Sequence, residues 1–268
     1  MHAHTSLNQD SASRLATSGL VLQAKPAGTM AWTVKFLERC TYRAMTTDAD
    51  REYLSRWRWQ HYMEQETIKN GSMTIHDFED GKDDLPTART VGLYVDGALA
   101  AAMRLHAINA DAYNIDVVDI AKDRVEREIA NGKRFVYSSR WVSDPKFSNT
   151  VPFIIAATRI TPLACEYHRA DYALSSSREN HVKMYQRMQN AVLWSEKPEP
   201  IDNLDYLYHL IASDYHEFRD RIPVDRQAYA STKAERHEMF SPNADGSRMI
   251  TPTAPDIAAG LLVTDFAL

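Results

Sequence analysis

The stretch VGLYVDGALAAAMRLH, residues 91–106, constrains the fold of this chain more than any other. Val91, Leu93 and Val95 alternate toward one face, Asp96-Gly97 supplies a tight turn, and a second strand continues from Ala98. That pattern is a β-hairpin, so the chain must build a sheet around it. Side chains alternate along a strand, which sends Leu99, Met103 and Leu105 toward a core and Ala100, Ala102, Arg104 and His106 to the other face. Two readings of that second face stand side by side. The alanines can form a shallow trough for an extended ligand, with Arg104 as a fixed cation at its end, or they can pack beneath a helix with Arg104 at the surface. The strand alone favours the second.

With 44% hydrophobic and 25% charged residues over 268 positions, the chain can bury one full core with tails on either side. A net charge of −5 argues against a nucleic-acid partner. Cys40 and Cys165 lie far apart without metal-ligand spacing, and no apolar run is long enough to span a bilayer. These features describe a reduced, cytoplasmic protein without a bound metal. The opening 28 residues lack the cationic start and apolar block of a secretory signal. The expected organisation is a mobile tail over 1–30, a single domain over 31–240 and a C-terminal tail over 241–268.

Order is expected from Trp32, with an extended run over 40–45. Thr47 and Asp50 stand at capping-box spacing and open a helix over about 48–69. On its wheel Leu54, Trp57, Arg58, His61 and Tyr62 share one face, with Trp59 and Met63 nearly opposite. Arg58 therefore falls on the face that should be buried. A guanidinium there needs a carboxylate or a ligand cavity, unless its stem covers apolar surface and its head reaches water. The acidic loop over 76–86 would bring carboxylates to the end of the trough shared by Arg58 and Arg104, where such a cluster could hold an amine or an amino acid.

Beyond the hairpin, residues 117–131 carry a weak helical pattern ending at Gly132. Lys122, Arg124, Arg127, Lys133 and Arg134 lie in or just after it, as a solvated face or, together with Lys146, as a landing surface for an acidic carrier protein. FVYSSRWV, residues 135–142, reads as a strand carrying Arg140. Pro152 opens a helix through about residue 168, kinked at Pro162. A strand follows over 172–176, and Asn180 caps a short helix holding Tyr185 and Met188. After the Pro198 and Pro200 break, apolar residues recur at helical spacing over 204–218, another helix spans 226–240, and the tail docks through Leu261, Leu262 and Phe266. The order of elements gives an α/β or α+β layer, helices on a mixed sheet.

Trp57-Arg58-Trp59-Gln60-His61-Tyr62-Met63-Glu64, the Asp77-x-x-Asp80 pair, Asp96-Gly97 with Arg104-Leu105-His106, and Ser139-Arg140-Trp141-Val142 together resemble the acyl-homoserine lactone synthase and N-acyl amino acid synthase group over roughly residues 40–193. That group has the GNAT fold, a mixed, mostly antiparallel sheet flanked by helices. The resemblance implies acyl transfer from an acyl-carrier-protein thioester to the amine of a small acceptor, with no permanently bound cofactor. Carried over residue by residue, its site falls on Arg58, Trp59, Tyr62, Asp77, Asp80, Arg104 and Arg140. The trough and the Ser-Arg strand add Ala100, Ala102, His106, Tyr137 and Trp141 as substrate-binding candidates.

Two departures from the family pattern are informative. The lactone synthases carry a glutamate three residues before the arginine of the Ser-Arg motif, and here Tyr137 stands there, which points to the amino acid branch. The segment 143–150 contains no glycine, whereas coenzyme A-dependent GNAT enzymes bind pyrophosphate on a glycine-rich turn at a helix N-terminus. A phosphopantetheine arm on a carrier protein needs no such cradle. For chemistry, Asp77, Asp80 or Glu64 could take the amine proton, and backbone amides near Arg104 and Tyr137 could meet the oxyanion. Tyr185 resembles the late GNAT tyrosine that protonates the departing thiolate, with packing as its competing role. Three rival readings remain: a lactone synthase, a coenzyme A-dependent acetyltransferase, and a non-catalytic module that binds an acyl ligand.

Overall fold

The computed structural model describes residues 19–20, 22, 24–68, 73–79, 81–111, 118–148, 150–201 and 204–266. In chain order the elements are β1 (Gly19–Leu20), α1 (Gly28–Leu37), β2 (Cys40–Ala44), α2 (Asp48–Glu64), β3 (Ala88–Val95), β4 (Ala98–Ile108), α3 (Lys122–Ala130) and β5 (Phe135–Ser143). There follow α4 (Val151–Thr158), α5 (Ile160–His168), β6 (Tyr172–Arg178), α6 (Val182–Gln189), β7 (Val192–Leu193), β8 (Glu199–Pro200) and β9 (Leu207–Asp214). The described chain closes with α7 (Tyr215–Asp225), α8 (Lys233–Phe240), α9 (Ala254–Ala258) and β10 (Thr264–Asp265).

β1 and β10 pair with each other, and the main sheet runs β2-β3-β4-β5-β6-β9-β7 with β8 also on β9. Its described neighbours are antiparallel apart from β5 and β6, which are parallel. This is the mixed, mostly antiparallel sheet that the resemblance implies. Helices α1, α4, α5, α7, α8 and α9 bury Leu37, Phe153, Leu163, Phe218, Phe240 and Ile257 in one core cluster. A second cluster joins α3 to β5, β6 and β9 through Val125, Ile129, Phe135, Tyr137, Leu174 and Leu210, and a third sets Leu54, Trp57 and Tyr62 of α2 over Ala102 and Val142. Successive β5 residues thus enter different clusters, as strand alternation requires.

The hairpin forms where expected, with Asp96 at φ 50° and Gly97 at φ 83° in its turn. Both torsions belong to the left-handed region that a two-residue hairpin turn needs, and glycine takes it without penalty. One detail overturns the trough. Pairing passes from Leu93↔Ala101 to Tyr94↔Leu99, so Ala100 is an extra residue, a bulge. The parity of β4 reverses across it: Ala100 enters the large core cluster, while Leu99 and Ala102 pack in the α2 cluster.

Other boundaries move for identifiable reasons. The expected extended run is present as β2, but order begins before Trp32, since the chain is already helical at Gly28, in α1. Helix α2 closes at Glu64, five residues early. The helix opened by Pro152 breaks at Arg159, not Pro162; Pro162 sits in the first turn of α5, where a missing amide costs nothing. Residues 207–214 are a strand, β9, paired with β6 and β7 at its edges and buried on both faces, against α3 and α6, so its apolar run loses the period-two signature. The C-terminal segment is packed, through Ile250, Ala254, Ile257 and Thr264, each at most 4% exposed. Leu261 is 74% exposed and does not dock; Phe266 does pack against the core. Among the described residues no helix is long and apolar enough to cross a membrane.

Candidate active site

Helix α2 opens with the expected capping box: Asp50 N donates to Thr47 Oγ1 at 3.1 Å and Thr47 N to Asp50 Oδ2 at 3.1 Å. That start fixes the helix phase and buries Leu54, Trp57, Arg58, His61 and Tyr62, the face the sequence picked out. Arg58 is 1% exposed, and its partner is Asp83, with Nη1 to Oδ2 at 2.8 Å and Nη2 to Oδ1 at 3.4 Å. Gly81, at φ 67°, turns the acidic loop into a 3-10 turn over Lys82–Asp84 and so brings Asp83 under α2. Arg104 Nη1 reaches the same carboxylate at 3.1 Å, and Thr90 Oγ1 donates to it at 2.5 Å. Burial alone would raise the Asp83 carboxyl, but Arg58 and Arg104 outweigh it and hold it well below the usual carboxylate range.

The ladder between β5 and β6 ends at Ser138↔Ser175, although both strands continue. Beyond it Arg140 takes φ 51°, and on the β4 side pairing jumps from Ala102↔Val142 to Arg104↔Ser139, so two β5 residues face Met103. A non-glycine residue held in the left-handed region costs on the order of 1–2 kcal/mol, a conformation kept where a site needs it. The strands part here, and a cavity of about 580 Å³ fills the gap. That is within the ordinary range for a small-molecule site.

Of the residues proposed from sequence, Tyr62, Arg104, Tyr137, Arg140, Trp141 and Tyr185 line this cavity. Tyr62 donates to Trp141 O at 3.2 Å, the Arg140 guanidinium lies 5.2 Å from the Phe78 ring centroid, and Tyr185 packs edge-on to Trp141 at 6.3 Å. Burial pushes the Tyr185 phenol above its ordinary pKa, so it stays protonated as a donor at the wall.

The remaining candidates lie elsewhere. Arg58 borders a separate hollow with Asp83 rather than the cavity itself. Trp59 is 38% exposed on the outer face of α2. Glu64 is exposed, bonded to Gln60 Nε2 at 3.0 Å and to His61 Nδ1 at 2.7 Å. Asp77 accepts from Thr74 N and Oγ1 on an exposed turn, a capping role that occupies its carboxylate. Ala100 and Ala102 are core residues, and His106 is buried with Nδ1 3.4 Å from Thr87 Oγ1. Asp80 lies outside the described residues.

Sequence reasoning missed Asp119, Ser176, Arg178 and His181, which also line the cavity. Asp119 falls inside the weak helical pattern over 117–131, where an acid reads as part of a solvated face, and Arg178 ends a strand, where charge reads as solvated. Asp83 was within the acidic loop but unmarked; the demand of a buried Arg58 for a carboxylate was the available signal. The proposed cationic landing face is not one patch. Lys133 and Arg134 precede β5 and Lys146 follows it, at opposite ends of nine residues, roughly 26 Å of strand. Arg124 is occupied in part by the Trp194 ring, 4.5 Å away, and Lys133 by Asp171 at 3.4 Å.

A family model described as N-acyl amino acid synthase FeeM matches residues 54–209, more than half of the chain. Among solved structures, FeeM, an N-acyl amino acid synthase from uncultured soil microbes, is 16% identical with a TM-score of 0.55, over 68% of this chain and 94% of that one. An acyl-CoA N-acyltransferase from Pseudomonas aeruginosa is 17% identical with a TM-score of 0.44, over 65% and 97% of the two chains. A comparison with curated proteins gives no match. The fold is that of the GNAT acyltransferases. The family match takes in α2 from Leu54 onward, the hairpin and both strands that frame the cavity, and on it the chain belongs to the FeeM family of N-acyl amino acid synthases and is an N-acyltransferase.

Proposed function

We propose that this protein transfers a fatty acyl chain from a carrier-protein thioester to the amine of a free amino acid. The observation that carries the acceptor is the charge on the cavity wall. Among its described lining residues are Arg104, Arg140 and Arg178 against a single carboxylate, Asp119. An acceptor carboxylate would find guanidinium donors there, and charge-assisted bonds of this kind are about twice as strong as neutral ones. The same cations disfavour a protonated amine nearby, which raises the fraction of nucleophilic free base. Phe153, Ile154, Met184 and Trp141 give the cavity an apolar side suited to an acyl chain. In the bulge of β5, the Arg140 and Trp141 amides stand outside the ladder register and are the candidates to meet the oxyanion.

The test offers the purified protein an acyl thioester with paired acceptors, an amino acid and its carboxamide. Loss of a charge-assisted contact of about 1.5–3 kcal/mol predicts a KM at least tenfold higher for the carboxamide. Equal efficiency with both acceptors would discard the carboxylate site.

For the donor, the turn before α4 supports a carrier-bound arm. Lys146 N is engaged by Asp144 Oδ1 at 2.9 Å, Phe147 N by Asp144 O at 3.0 Å, Phe153 N by Thr150 Oγ1 at 3.4 Å and Ile154 N by Thr150 O at 3.1 Å, and Pro152 has no N–H. A helix start with the Phe153 and Ile154 amides engaged and none at Pro152, beside an aspartate, is a poor cradle for a pyrophosphate. The expected result is kcat/KM at least tenfold higher for acyl carrier protein than for acyl-coenzyme A of the same chain length, with the carrier reaction weakening as salt screens surface charge. Parity between the two donors would remove the carrier. A cytoplasmic site of action accords with this donor and with the buried free thiols of Cys40 and Cys165.

A further inference from the structure

The cavity wall contains a row of three side-chain oxygens, on Ser176, Tyr137 and Asp119. Tyr137 Oη donates to Asp119 Oδ2 at 2.6 Å and stands 2.9 Å from Ser176 Oγ, a contact in which either can donate. All three residues line the cavity, and they come from different parts of the chain: the segment before α3, β5 and β6. Tyr137 is fully buried one residue before the last β5–β6 pair, so its hydroxyl sits where the strands part. Asp119 is exposed. The row therefore leads from the cavity, through a ring that water does not reach, to a carboxylate in contact with solvent.

Amide formation from an ammonium acceptor requires such an exit, because one proton must leave before the nitrogen can attack. Glu64 and Asp77 lie outside the cavity. We propose that Ser176, Tyr137 and Asp119 form a proton relay that deprotonates the acceptor amine, with Asp119 acting through Tyr137. The ammonium gives a proton to Ser176 Oγ, which passes its own to Tyr137 Oη, which passes its own to the Asp119 carboxylate and thence to solvent. The freed lone pair forms the C–N bond at the thioester carbonyl carbon. The C–S bond then breaks, and the departing thiolate takes the second proton lost by that nitrogen. One proton is released per amide formed.

This inference rests on the acyl-transfer reading of the cavity. The other titratable or charged groups on its wall are Arg104, Arg140, Arg178, His181, Tyr62, Tyr185 and Tyr208. Arginines stay charged throughout. Burial raises the phenols of Tyr185 and Tyr208, and desolvation followed by Arg178 lowers the His181 imidazole, leaving it neutral near pH 7.

Asp119→Asn, Tyr137→Phe and the double variant test the relay, with a thioester donor and an amino acid acceptor that the wild-type protein turns over. General acid–base assistance is worth roughly 10²–10⁴-fold, so each single variant should lose about 100-fold in kcat at pH 7 with acceptor KM changed less than about twofold. Members of one relay act as a unit, so the double variant should be no worse than either single one. The deficit should shrink above pH 9, where hydroxide can do the same work, and His181→Asn should keep the wild-type pH profile. Multiplying losses, a deficit constant with pH, or wild-type turnover by Tyr137→Phe, which keeps the ring and its packing, would each overturn the relay while leaving the acyl-transfer reading standing. If the wild-type protein forms no amide from any thioester and amino acid, both fall together.

Discussion

Asp83→Ala is expected to cost about 3–5 kcal/mol of folding stability and to lower the melting temperature by roughly 10 °C. The carboxylate it removes is the shared partner of Arg58 and Arg104, whose side chains are 1% and 3% exposed. Its loss leaves two guanidiniums facing each other in a site with little water. The converse change is milder: Arg104→Ala leaves Asp83 bonded to Arg58, so the fold should survive with a melting temperature within a few degrees of wild type while acyl transfer is abolished. Thermal melts and turnover on both variants separate the two roles; a stable Asp83→Ala protein would show that the cluster is solvated in solution. The pH dependence has a definite sign. Asp83 is held below its unfolded pKa, so its contribution is complete above the ordinary carboxylate pKa of about 4 and is lost as pH falls through the folded value. Below pH 4 the stability of Asp83→Ala should accordingly vary less with pH than that of wild type.

Glu235→Ala should be as damaging, again about 3–5 kcal/mol. Arg159 and Glu235 are both 0% exposed and joined at 2.5 Å, at the break between α4 and α5. The guanidinium also donates to Ala228 O at 2.8 Å and Ala230 O at 2.6 Å, while Glu235 Oε2 accepts from Thr253 N at 3.1 Å and Thr253 Oγ1 at 2.6 Å. Removing the carboxylate strands a buried cation and releases the segment that leads into α9. A urea melt with limited proteolysis checks both effects: the midpoint should fall and cleavage should concentrate after Ser241. In contrast, Glu38→Ala, which breaks an exposed pair with Lys35, should leave the midpoint unchanged.

The parts of this molecule that follow from local chemistry are legible in its sequence. The Asp96-Gly97 turn, the Thr47 capping box, the buried face of α2 and the strand around Arg140 are each specified within a few residues, and each forms. What fails is whatever depends on a distant neighbour. A single extra residue at Ala100, invisible in the pattern of alanines, inverts the face of β4 before the bulge and removes the trough. The strand β9 resembles a helix because both its faces are buried, Leu210 and Ala212 against the distant α3 and Ile211 against α6. Arg58 demanded a carboxylate, but the choice among the acids of the following loop was made by the left-handed turn at Gly81. Asp119 and Ser176 meet Tyr137 only once β5 lies beside β6, and neither carries a local signal.

The backbone pairing between Tyr42 and Ile250 has a consequence for synthesis. Tyr42 N donates to Ile250 O at 2.8 Å and Ile250 N to Tyr42 O at 2.7 Å, so the outer edge of β2 is covered by chain made about 200 residues later. At roughly 5–20 residues per second, the ribosome leaves that edge uncovered for about 10–40 s. An unpaired strand edge is a template for pairing with another chain. The nascent protein is thus most exposed to aggregation on its N-terminal side until its last helices emerge, and truncation before Ile250 would make that transient state permanent.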